Sequence, residues 1–581
     1  MTFWRIFVRV LPLRPFTALA ALWWHVTGRR VRARNRLRAS GERLPFAYEF
    51  WMRHIEPDYE LRFRNEMPAD ASASVPSFSI VVLADGASPQ HVAATIGSIE
   101  RQAYAHWDLV LVGQTAATAH HSTAVRARTS LATAFPQAAL DEVKGDFLVP
   151  IEAGDELSPL ALRCYAEALR SEPSAKILYG DHDHLDAKGR RHNPWFKPGW
   201  NEELFFAQDY LSGAVAISSD EARRASARND LSTSAPIYDL LLRIAGTSGG
   251  PMVHVPSITA HRRTHERTAD QKARVEIVSK FVSRRGGSAT AGLFDTVKVS
   301  WPLPPELPLV SIIVPTRDKV RLLRACVDSL LSRTRYPLFE VLVVDNASLE
   351  DATRRYLATI ESDERVRVLS YPRAYNYSAI NNFAARHAKG SYLCLLNNDT
   401  EVIDPDWLTE MMRYAVRPDI GAVGAKLLYG DRSIQHAGVI VGIGDAAGHA
   451  HRNLPSSKPG YFCRAHAAQF VTAVTGACLL VDKRKFLAVG GLDEESLAIA
   501  YNDVDLCLKL DRAGWRNAYV PHAILIHHES KTRLRDHSRT QIDRYRRELQ
   551  VFQRRWNVPS YQDPFFNPNL DRTSETFLIR L

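Results

Sequence analysis

The chain has little cysteine, no long apolar run and almost no net charge over most of its length. Six cysteines in 581 residues, none in a C-x-x-C pair, are too few for a disulfide framework and indicate buried thiols in a reducing compartment. No stretch reaches the roughly 18 uninterrupted apolar residues of a membrane span. Apolar residues make up 45% and charged residues 24%, as in ordinary globular proteins. These features exclude a collagen, a disulfide-rich toxin and a polytopic transporter, and they argue against secretion.

The positive charge is concentrated at the amino terminus. Residues 1–43 contain ten arginines and one glutamate, so this segment carries nearly all of the net charge of +10. The rest of the chain is nearly neutral, and binding to a phosphate backbone requires a basic face on the fold itself. The composition therefore argues against nucleic acid as a partner.

The same terminal segment contains an apolar run, Pro15 to Val26, that is too short to span a bilayer. Trp23 and Trp24 are suited to the headgroup level, and the arginines from Arg29 onwards would meet anionic lipid at about 1 kcal/mol each. A signal peptide is disfavoured, since no convincing small-residue cleavage site precedes the arginine cluster. Two interpretations remain: a basic amphipathic anchor on a membrane surface, or a frayed basic terminus without a target.

An internal repeat organises the remainder of the chain. SIVVL at Ser79 matches SIIVP at Ser311, and YAHWDLVLV at Tyr104 matches YPLFEVLVV at Tyr336 at the same spacing. Each copy contains a strand, a helical pattern and a second strand, which together form a βαβ unit with parallel pairing. We therefore predict an α/β fold with two tandem sandwiches whose ligand crevices lie at the carboxyl ends of the strands.

The proline-rich stretch WPLPPELP separates the two copies, because its prolines exclude a helix and favour an extended connector. The predicted organisation is a basic segment over 1–43, a first domain over 47–300, a linker over 301–308, a second domain over 309–558 and a tail over 559–581.

Polar residues follow three apolar strands of the second copy. The first strand ends at Pro315-Thr316-Arg317, the next at Asp345, and the third at Asn397-Asn398-Asp399. Any one of these groups alone could be a turn or a helix cap. Three strands that converge in one domain favour a binding site at their shared edge.

Two further segments contain candidate catalytic or metal-binding residues. Asp503 precedes a helical pattern, so that it could cap the helix or act as a general base. A buried strand ends at His527-His528, and a histidine beside Asp399 at one sheet edge would suit Mg²⁺ or Mn²⁺.

These motifs resemble glycosyltransferase family 2, whose members are inverting nucleotide-sugar transferases of the GT-A fold. In the second half the resemblance rests on QHAGVIVGIGDAAGHAHR, VTGACLLV, GGLDE, NDVDLCLKL and HHES, and in the first half on YEFWMRHIEPD and NPWFKPGWNEELFFAQDYL. It covers the whole chain from about residue 47. It implies two tandem GT-A sandwiches with mixed, mostly parallel sheets, as in two-domain O-antigen or rhamnosyl-type transferases.

The resemblance also implies roles for individual residues. Asp503 matches the catalytic base of the family, and Asp399 and His527 match its metal ligands for Mg²⁺ or Mn²⁺, with His528 as the alternative to His527. The remaining donor-site contacts would be Pro315, Thr316, Arg317, Asp345, Asn382 and Asn397. Asn397 departs from the family pattern, because the D-x-D motif has a carboxylate at this position.

The first copy lacks the same groups at the matching positions. Gly113 stands where Asp345 is expected, Gly154 where Asp399 is expected and Ile237 where Asp503 is expected. We therefore expect a degenerate first domain without metal-dependent activity, with acceptor binding or docking as its working role. Its GDHDHLD segment (Asp181 to Asp186) resembles a metal cluster but is expected to be a solvated loop.

The sequence predicts an inverting, metal-dependent glycosyltransferase that is cytoplasmic and peripheral on the inner membrane face. Its donor would be a UDP-, dTDP- or GDP-sugar, and its acceptor a surface-polysaccharide or lipid-linked glycan. The alternatives are a nucleotidyltransferase of related fold and a non-catalytic polysaccharide-assembly factor. A dinucleotide fingerprint is rejected at Gly442, because no acidic residue follows the GIGDAA stretch by about 20 positions.

Overall fold

The structure is a computed structural model that describes residues 2–27, 33, 37, 40, 46–57, 61, 75–113, 129–132, 135–227, 231, 234–247, 250–263, 270–528 and 539–581. Its described part contains two mixed α/β units. The first unit is built on the sheet β1–β9 and the second unit on the sheet formed by β12–β18 and β21–β23.

The helices of the amino-terminal segment and the first unit are α1 (Thr2–Val10), α2 (Pro15–Val26), α3 (Ala47–His54), α4 (Pro89–Glu100), α5 (Gln137–Glu142), α6 (Ala161–Ser171), α7 (Glu202–Ala207), α8 (Ser219–Ser226), α9 (Pro236–Thr247) and α10 (Gln271–Ser283). The strands are β1 (Phe78–Leu83), β2 (Trp107–Val112), β3 (Thr129–Ala132), β4 (Phe147–Glu152), β5 (Glu156–Leu157), β6 (Ile177–Leu185), β7 (Arg191–Trp195), β8 (Val215–Ser218), β9 (Met252–Arg263), β10 (Ser288–Ala291) and β11 (Val297–Ser300).

The helices of the second unit are α11 (Val320–Arg333), α12 (Asp351–Ile360), α13 (Tyr377–His387), α14 (Trp407–Ala415), α15 (Lys483–Ala488), α16 (Asn502–Arg512) and α17 (Arg539–Trp556). Its strands are β12 (Val310–Thr316), β13 (Phe339–Asp345), β14 (Val366–Ser370), β15 (Tyr392–Leu396), β16 (Thr400–Val402), β17 (Ile420–Leu428), β18 (Ile434–His436), β19 (Val439–Val441), β20 (Ala447–His449), β21 (Gln469–Val471), β22 (Cys478–Asp482) and β23 (Arg516–His527).

The two sheets have the same strand order, which confirms the internal repeat. The first sheet runs β3-β2-β1-β4-β8-β6-β9-β5, and the second runs β14-β13-β12-β15-β22-β17-β23-β16. Both sheets are mixed, and in each most of the paired residues lie in parallel ladders. The predicted fold of two tandem α/β sandwiches with mixed, mostly parallel sheets is therefore confirmed.

Sequence pattern explains the central elements of the second unit. Every residue of β12 is buried, as expected for a continuous apolar strand covered on both faces. In α11 the side chains of Leu323, Cys326, Val327 and Leu330 are buried at helical spacing, so that one face of the helix packs on the sheet. These elements hold the carboxyl ends of the parallel strands at one edge.

The two units pack against each other through side chains of both. Asn201 forms two hydrogen bonds with the backbone of Phe470, at 2.9 and 3.0 Å. Arg417 pairs with the buried Glu203, which also accepts from Trp301 Nε1 at 3.2 Å. The residues 301–309 contain neither helix nor strand, and Trp301 anchors this connector in the core.

The expectation that GDHDHLD forms a solvated loop is wrong, because the segment lies in the buried strand β6. Asp181 accepts from Asn567 Nδ2 at 2.9 Å, and Asp183 accepts from Arg191 Nε at 2.5 Å and from His261 Nδ1 at 2.6 Å. Each buried carboxylate thus has its own donors, which offset the loss of hydration. Asn567 belongs to the carboxyl-terminal tail, so this network attaches the tail to the first unit.

The GIGDAA stretch connects the antiparallel strands β19 and β20. Gly442 has φ 99° and Gly444 has φ 60°, so both glycines adopt the left-handed conformations that a tight turn requires. The stretch opens no long helix, in agreement with the rejection of a dinucleotide fingerprint.

Candidate active site

A cavity of about 300 Å³ lies in the second unit, where β12 and β15 end and α16 begins. We call it the main cavity. Five of the residues singled out from the sequence line it: Pro315, Asn397, Asp399, Asp503 and His527. Its other lining residues are Tyr375, Tyr377, Asn398, Gln435, His449, Arg452, Thr475, Gly476, Ala477, Ile499 and Asn502. Its position agrees with the rule that open α/β sheets bind ligands beyond the carboxyl ends of their strands.

Asp399 and His527 meet at the edge where β16 pairs with β23. Thr400 lies opposite His527 in this antiparallel pair, so the preceding Asp399 lies beside the histidine. Their side chains approach to 2.9 Å between Asp399 Oδ1 and His527 Nε2. The other ring nitrogen, Nδ1, lies 2.6 Å from Gln435 Oε1, and an amide oxygen can only accept a hydrogen bond. Gln435 therefore fixes the hydrogen on Nδ1.

This pair fits a divalent cation. When the ring carries its only hydrogen on Nδ1, Nε2 presents its lone pair to the Asp399 carboxylate, and a metal ion between them would be bound by both groups. A mixed oxygen and nitrogen set suits Mn²⁺ or Mg²⁺ when ligand oxygens complete the shell. In the described ranges no group of three or more His, Cys, Asp or Glu side chains could hold a metal alone.

His528 faces a different partner. Its Nε2 lies 3.0 Å from Glu401 Oε2, and its side chain is about one-third exposed. His528 does not line the main cavity, whereas His527 does. Successive side chains of a strand point to opposite faces, which separates the two histidines.

Asp503 lies in the first turn of α16 and lines the main cavity. Its Oδ2 accepts a hydrogen bond from the backbone N–H of Gly476 at 2.8 Å. Burial raises the pKa of the Asp503 carboxyl, and the hydrogen bond from Gly476 partly offsets this increase. A carboxylate that is both held in place and more basic than usual is suited to accept a proton.

The two asparagines before Asp399 hold neighbouring groups. Asn397 Nδ2 lies 3.2 Å from His527 Nε2, and Asn398 Nδ2 donates to Thr316 Oγ1 at 3.0 Å. The second contact ties the end of β12 to the end of β15. All three residues of the Asn397-Asn398-Asp399 sequence line the cavity, and Asp399 supplies its carboxylate.

Three of the expected nucleotide contacts lie outside the main cavity. Thr316 is buried, Arg317 is exposed, and Asp345 lies at the end of β13 opposite Thr316. Asp345 Oδ1 accepts from the backbone N–H and the hydroxyl of Ser348, at 3.0 and 2.6 Å. The structure therefore places Asp345 at the same sheet edge as Pro315, within a side-chain-stabilised turn.

Asn382 is also outside the main cavity. Its amide group donates to the carbonyl of Leu492 at 2.7 Å and accepts from the Leu492 N–H at 3.0 Å. The side chain thereby holds the loop that follows Gly491, and it is not among the residues that line the cavity. These hydrogen bonds fix the loop at Leu492, and the donor contact expected for Asn382 stays a prediction.

Sequence reasoning missed several residues of the main cavity, among them Gln435, His449, Arg452 and Tyr377. Arg452 adds a cation to the wall, and its Nε donates to Tyr429 at 2.9 Å. Tyr377 donates to the carbonyl of Gly476, which positions the peptide that contacts Asp503. Gln435 and Arg452 lie in the QHAGVIVGIGDAAGHAHR motif, so the motif itself was the available signal.

In the first unit, glycines with positive φ occupy the positions that correspond to Asp345 and Asp399. Gly113 has φ 104°, and a Cβ atom there would lie 2.3 Å from Asp85 Oδ1. Gly154 has φ 108°, a backbone conformation that L-residues with a side chain rarely adopt. The ladders of β1 and β12 align these glycines with Asp345 and Asp399.

Comparisons with known proteins agree with this site. Residues 311–440 match the family model described as "Glycosyl transferase family 2". A protein from Sinorhizobium fredii, "Uncharacterized protein y4gI", is 36% identical over 534 residues, which cover 87% of this chain and 58% of that protein. The "O-antigen biosynthesis protein RfbC" of Myxococcus xanthus is 35% identical over 529 residues, which cover 86% of this chain and 40% of that protein.

The chain spans about half the length of these two curated relatives. Among solved structures, the mannosyltransferase PcManGT from Pyrobaculum calidifontis, in complex with GDP-Man and Mn²⁺, has 20% sequence identity and a TM-score of 0.34, covering 46% of this chain and 70% of that chain. The resemblance to glycosyltransferase family 2 that the motifs indicate is thus confirmed for residues 311–440.

Proposed function

We propose that the second unit is an inverting, metal-dependent glycosyltransferase. It would move a sugar from a UDP-, dTDP- or GDP-sugar donor to a surface-polysaccharide or lipid-linked glycan acceptor. The observation that carries this proposal is the presence of the Asp399–His527 pair and the Asp503 carboxylate on walls of one cavity. The similarity to an O-antigen biosynthesis protein supports the acceptor class.

Asp399 and His527 would hold Mg²⁺ or Mn²⁺ beside the donor diphosphate. Such a cation neutralises the charge that develops on the leaving nucleoside diphosphate. Gln435 keeps the His527 ring oriented for this role through its contact with Nδ1. Arg452 would add a second positive charge on the same wall for the phosphate oxygens.

Asp503 would accept the proton of the acceptor hydroxyl as that oxygen attacks the anomeric carbon. The backbone N–H groups of Gly476 and Val504 each donate to one carboxylate oxygen of Asp503 at 2.8 Å, which holds the carboxylate in place at the cavity. One displacement from the face opposite the leaving group inverts the anomeric centre. This reaction needs no second carboxylate as a nucleophile, and Asp503 alone supplies the base.

The test is nucleoside diphosphate release from a panel of UDP-, dTDP- and GDP-sugars, with Mn²⁺ or Mg²⁺ and with EDTA. Metal-dependent release of one nucleoside diphosphate would support the proposal and identify the nucleotide. Release of pyrophosphate from a nucleoside triphosphate and a sugar phosphate would instead identify a nucleotidyltransferase. Absence of turnover together with absence of donor binding by calorimetry would favour a non-catalytic assembly factor.

The decrease of kcat at low pH (the acid limb of the pH profile) should reflect the raised pKa of Asp503. The base acts when ionised, and because burial raises its pKa, activity should fall with decreasing pH through a value above the ordinary 3.9 of aspartate. The measurement is a pH profile of kcat at saturating metal and donor. Asp503→Glu should move this limb, and a limb at or below 3.9 in the wild type would contradict the assignment.

We further propose that the amino-terminal helices attach the protein to an anionic membrane surface, as a peripheral protein of the inner face of the cytoplasmic membrane. Among the described helices none combines the length and hydropathy needed to cross a bilayer. One side of the α1–α2 pair packs on α3 and on Leu581, while Phe16 is 88% and Trp23 67% exposed on the other side. An apolar outer face beside a strongly basic segment suits the lipid headgroup region.

The double substitution Phe16→Glu and Trp23→Glu should weaken vesicle binding at least about tenfold, since each buried aromatic side chain contributes about 1.5–3 kcal/mol. Flotation with phosphatidylglycerol–phosphatidylcholine vesicles measures this effect. Leu487→Glu changes an exposed leucine on a helix of the second unit and is the matched control. Equal flotation of the double variant and the wild type would contradict membrane attachment through these helices.

A further inference from the structure

The first unit contains its own cavity of about 120 Å³ at the sheet edge that corresponds to the main cavity. We call it the first-unit cavity. Its charged lining residues are Glu152, Asp155, Asp209, Arg262 and Arg274. Its volume is less than half that of the main cavity, so it is suited to a smaller ligand.

Strand pairing places an arginine where the second unit has its metal-site histidine. Glu156 lies opposite His261 in the antiparallel β5–β9 pair, so Asp155, which precedes Glu156, lies at the position opposite Arg262, which follows His261. In the β16–β23 pair the corresponding position to Arg262 is His527, opposite Thr400. The cavity therefore has a permanent guanidinium charge where the second unit would hold a metal ion.

Glycine makes room for this arginine. A Cβ atom on Gly213 would lie 2.7 Å from Cδ and 3.0 Å from Nη1 of Arg262. The matching position in the second unit is Ala477. Gly213 and Ala477 each lie five residues before the strand residue that pairs with the first residue of the neighbouring strand, β4 in the first unit and β15 in the second. The first-unit cavity is thus shaped around Arg262 and is not merely a remnant of the main cavity.

Two buried donors in this cavity lack acceptors. Within the part of the chain that the structure describes, neither Arg262 Nε nor Arg274 Nε forms a hydrogen bond. Arg262 Nε is 3.5 Å from Asp155 Oδ2, which is an ion pair without hydrogen-bond geometry. Arg274 Nη2 already contacts Asp295 Oδ1 at 2.7 Å, so the unmet hydrogen-bonding capacity lies at the two Nε atoms. An unsatisfied buried donor costs about 1–3 kcal/mol, so an oxygen acceptor is favoured at these atoms.

A third buried cation lies near Arg262. The Nζ atom of Lys197 is buried and has no hydrogen-bond partner among the described residues. Lys197 interacts electrostatically with Arg262 and with Asp209, and burial lowers its pKa to about 7. Lys197 does not line the cavity, so a bound anion would contact Arg262 and Arg274, and Lys197 would interact with it only at longer range.

We propose that the first-unit cavity binds a glycosyl phosphate without a metal ion. The phosphate oxygens would accept hydrogen bonds from Arg262 and Arg274, and the sugar hydroxyls would donate to Glu152 and Asp209. Both the cations and the carboxylates of the cavity then have partners of complementary chemistry. This proposal involves only residues of the first unit, so it does not depend on whether the second unit is a glycosyltransferase.

The test is calorimetric titration of the full chain with glucose 1-phosphate, glucose and inorganic phosphate, all in EDTA. We expect glucose 1-phosphate to bind and glucose to give no signal. Arg262→Gln should weaken binding of glucose 1-phosphate at least about tenfold, because it removes a charged hydrogen-bond donor. Arg170→Gln, an exposed arginine on α6 paired with Glu167, is the matched control and should bind as the wild type does.

Gly213→Ala provides a second variant that leaves all charges in place. Its added methyl group should displace Arg262 and also weaken binding, while His527→Gln in the second unit should leave binding unchanged. Thermal unfolding of each variant establishes that it is folded. Three results would overturn the proposal: no binding of glucose 1-phosphate, equal binding by folded Arg262→Gln, or inorganic phosphate binding as tightly as glucose 1-phosphate.

Discussion

Replacement of Asp503 by asparagine is expected to reduce kcat for sugar transfer by about 10²–10⁴-fold, the usual contribution of a positioned general base. The substitution keeps the size of the side chain and one oxygen that can accept from Gly476. It removes the charge and the basicity that take up the acceptor proton. The KM for the donor should change little, because Asp503 is proposed to act on the acceptor hydroxyl, whereas Asp399 and His527 would bind the metal ion at the donor.

The measurement is initial-rate release of the nucleoside diphosphate with the donor identified from the panel. Asp511→Asn is the matched control, since Asp511 is an exposed aspartate in the last turns of the same helix. It should retain wild-type kcat. Turnover of Asp503→Asn within about threefold of the control, in a folded variant, would move the base to another residue.

The fold and the main cavity were largely predictable from the sequence. Continuous apolar runs identify buried strands, and the polar residues that follow them mark a sheet edge, so Pro315, Asn397 and Asp399 could be grouped without a structure. The internal repeat also carried information, because the glycines at 113 and 154 stand in place of two carboxylates. The structure adds the physical reason, which is a left-handed backbone at both positions.

Other features depend on contacts between distant segments and left no periodic signal. Asn382 pairs with Leu492, 110 residues later, so its structural role could not be read from spacing. Asp181 and Asp183 are buried beside donors from other strands and from the tail, whereas their acidic sequence suggested a solvated loop. Arg262 was missed because its correspondence to His527 follows from strand pairing across a variable insertion.

The two adjacent histidines at the end of β23 should differ sharply when replaced by glutamine. His527→Gln is expected to lower the apparent affinity for Mn²⁺ by more than about 100-fold, since even residues that only orient a ligand contribute about 10–100-fold. His527 faces Asp399 at 2.9 Å on the cavity wall, whereas His528 faces Glu401 at 3.0 Å outside it. His528→Gln should therefore retain wild-type metal affinity.

The measurement is the Mn²⁺ concentration that gives half-maximal nucleoside diphosphate release, complemented by direct Mn²⁺ binding followed by electron paramagnetic resonance. Asp399→Ala should match His527→Gln in both assays, because the two side chains belong to one site. Gln435→Ala should give an intermediate loss, since it frees the ring of His527 without removing a ligand.

This set of variants separates a metal role from a structural one. A loss that excess Mn²⁺ restores in Gln435→Ala but not in Asp399→Ala would support coordination by Asp399 with a ring oriented by Gln435. Equal losses in His527→Gln and His528→Gln would instead indicate that the end of β23 merely needs both rings for packing. Full Mn²⁺ dependence in folded His527→Gln would remove this histidine from the metal site and leave Asp399 with the ligand oxygens of the diphosphate.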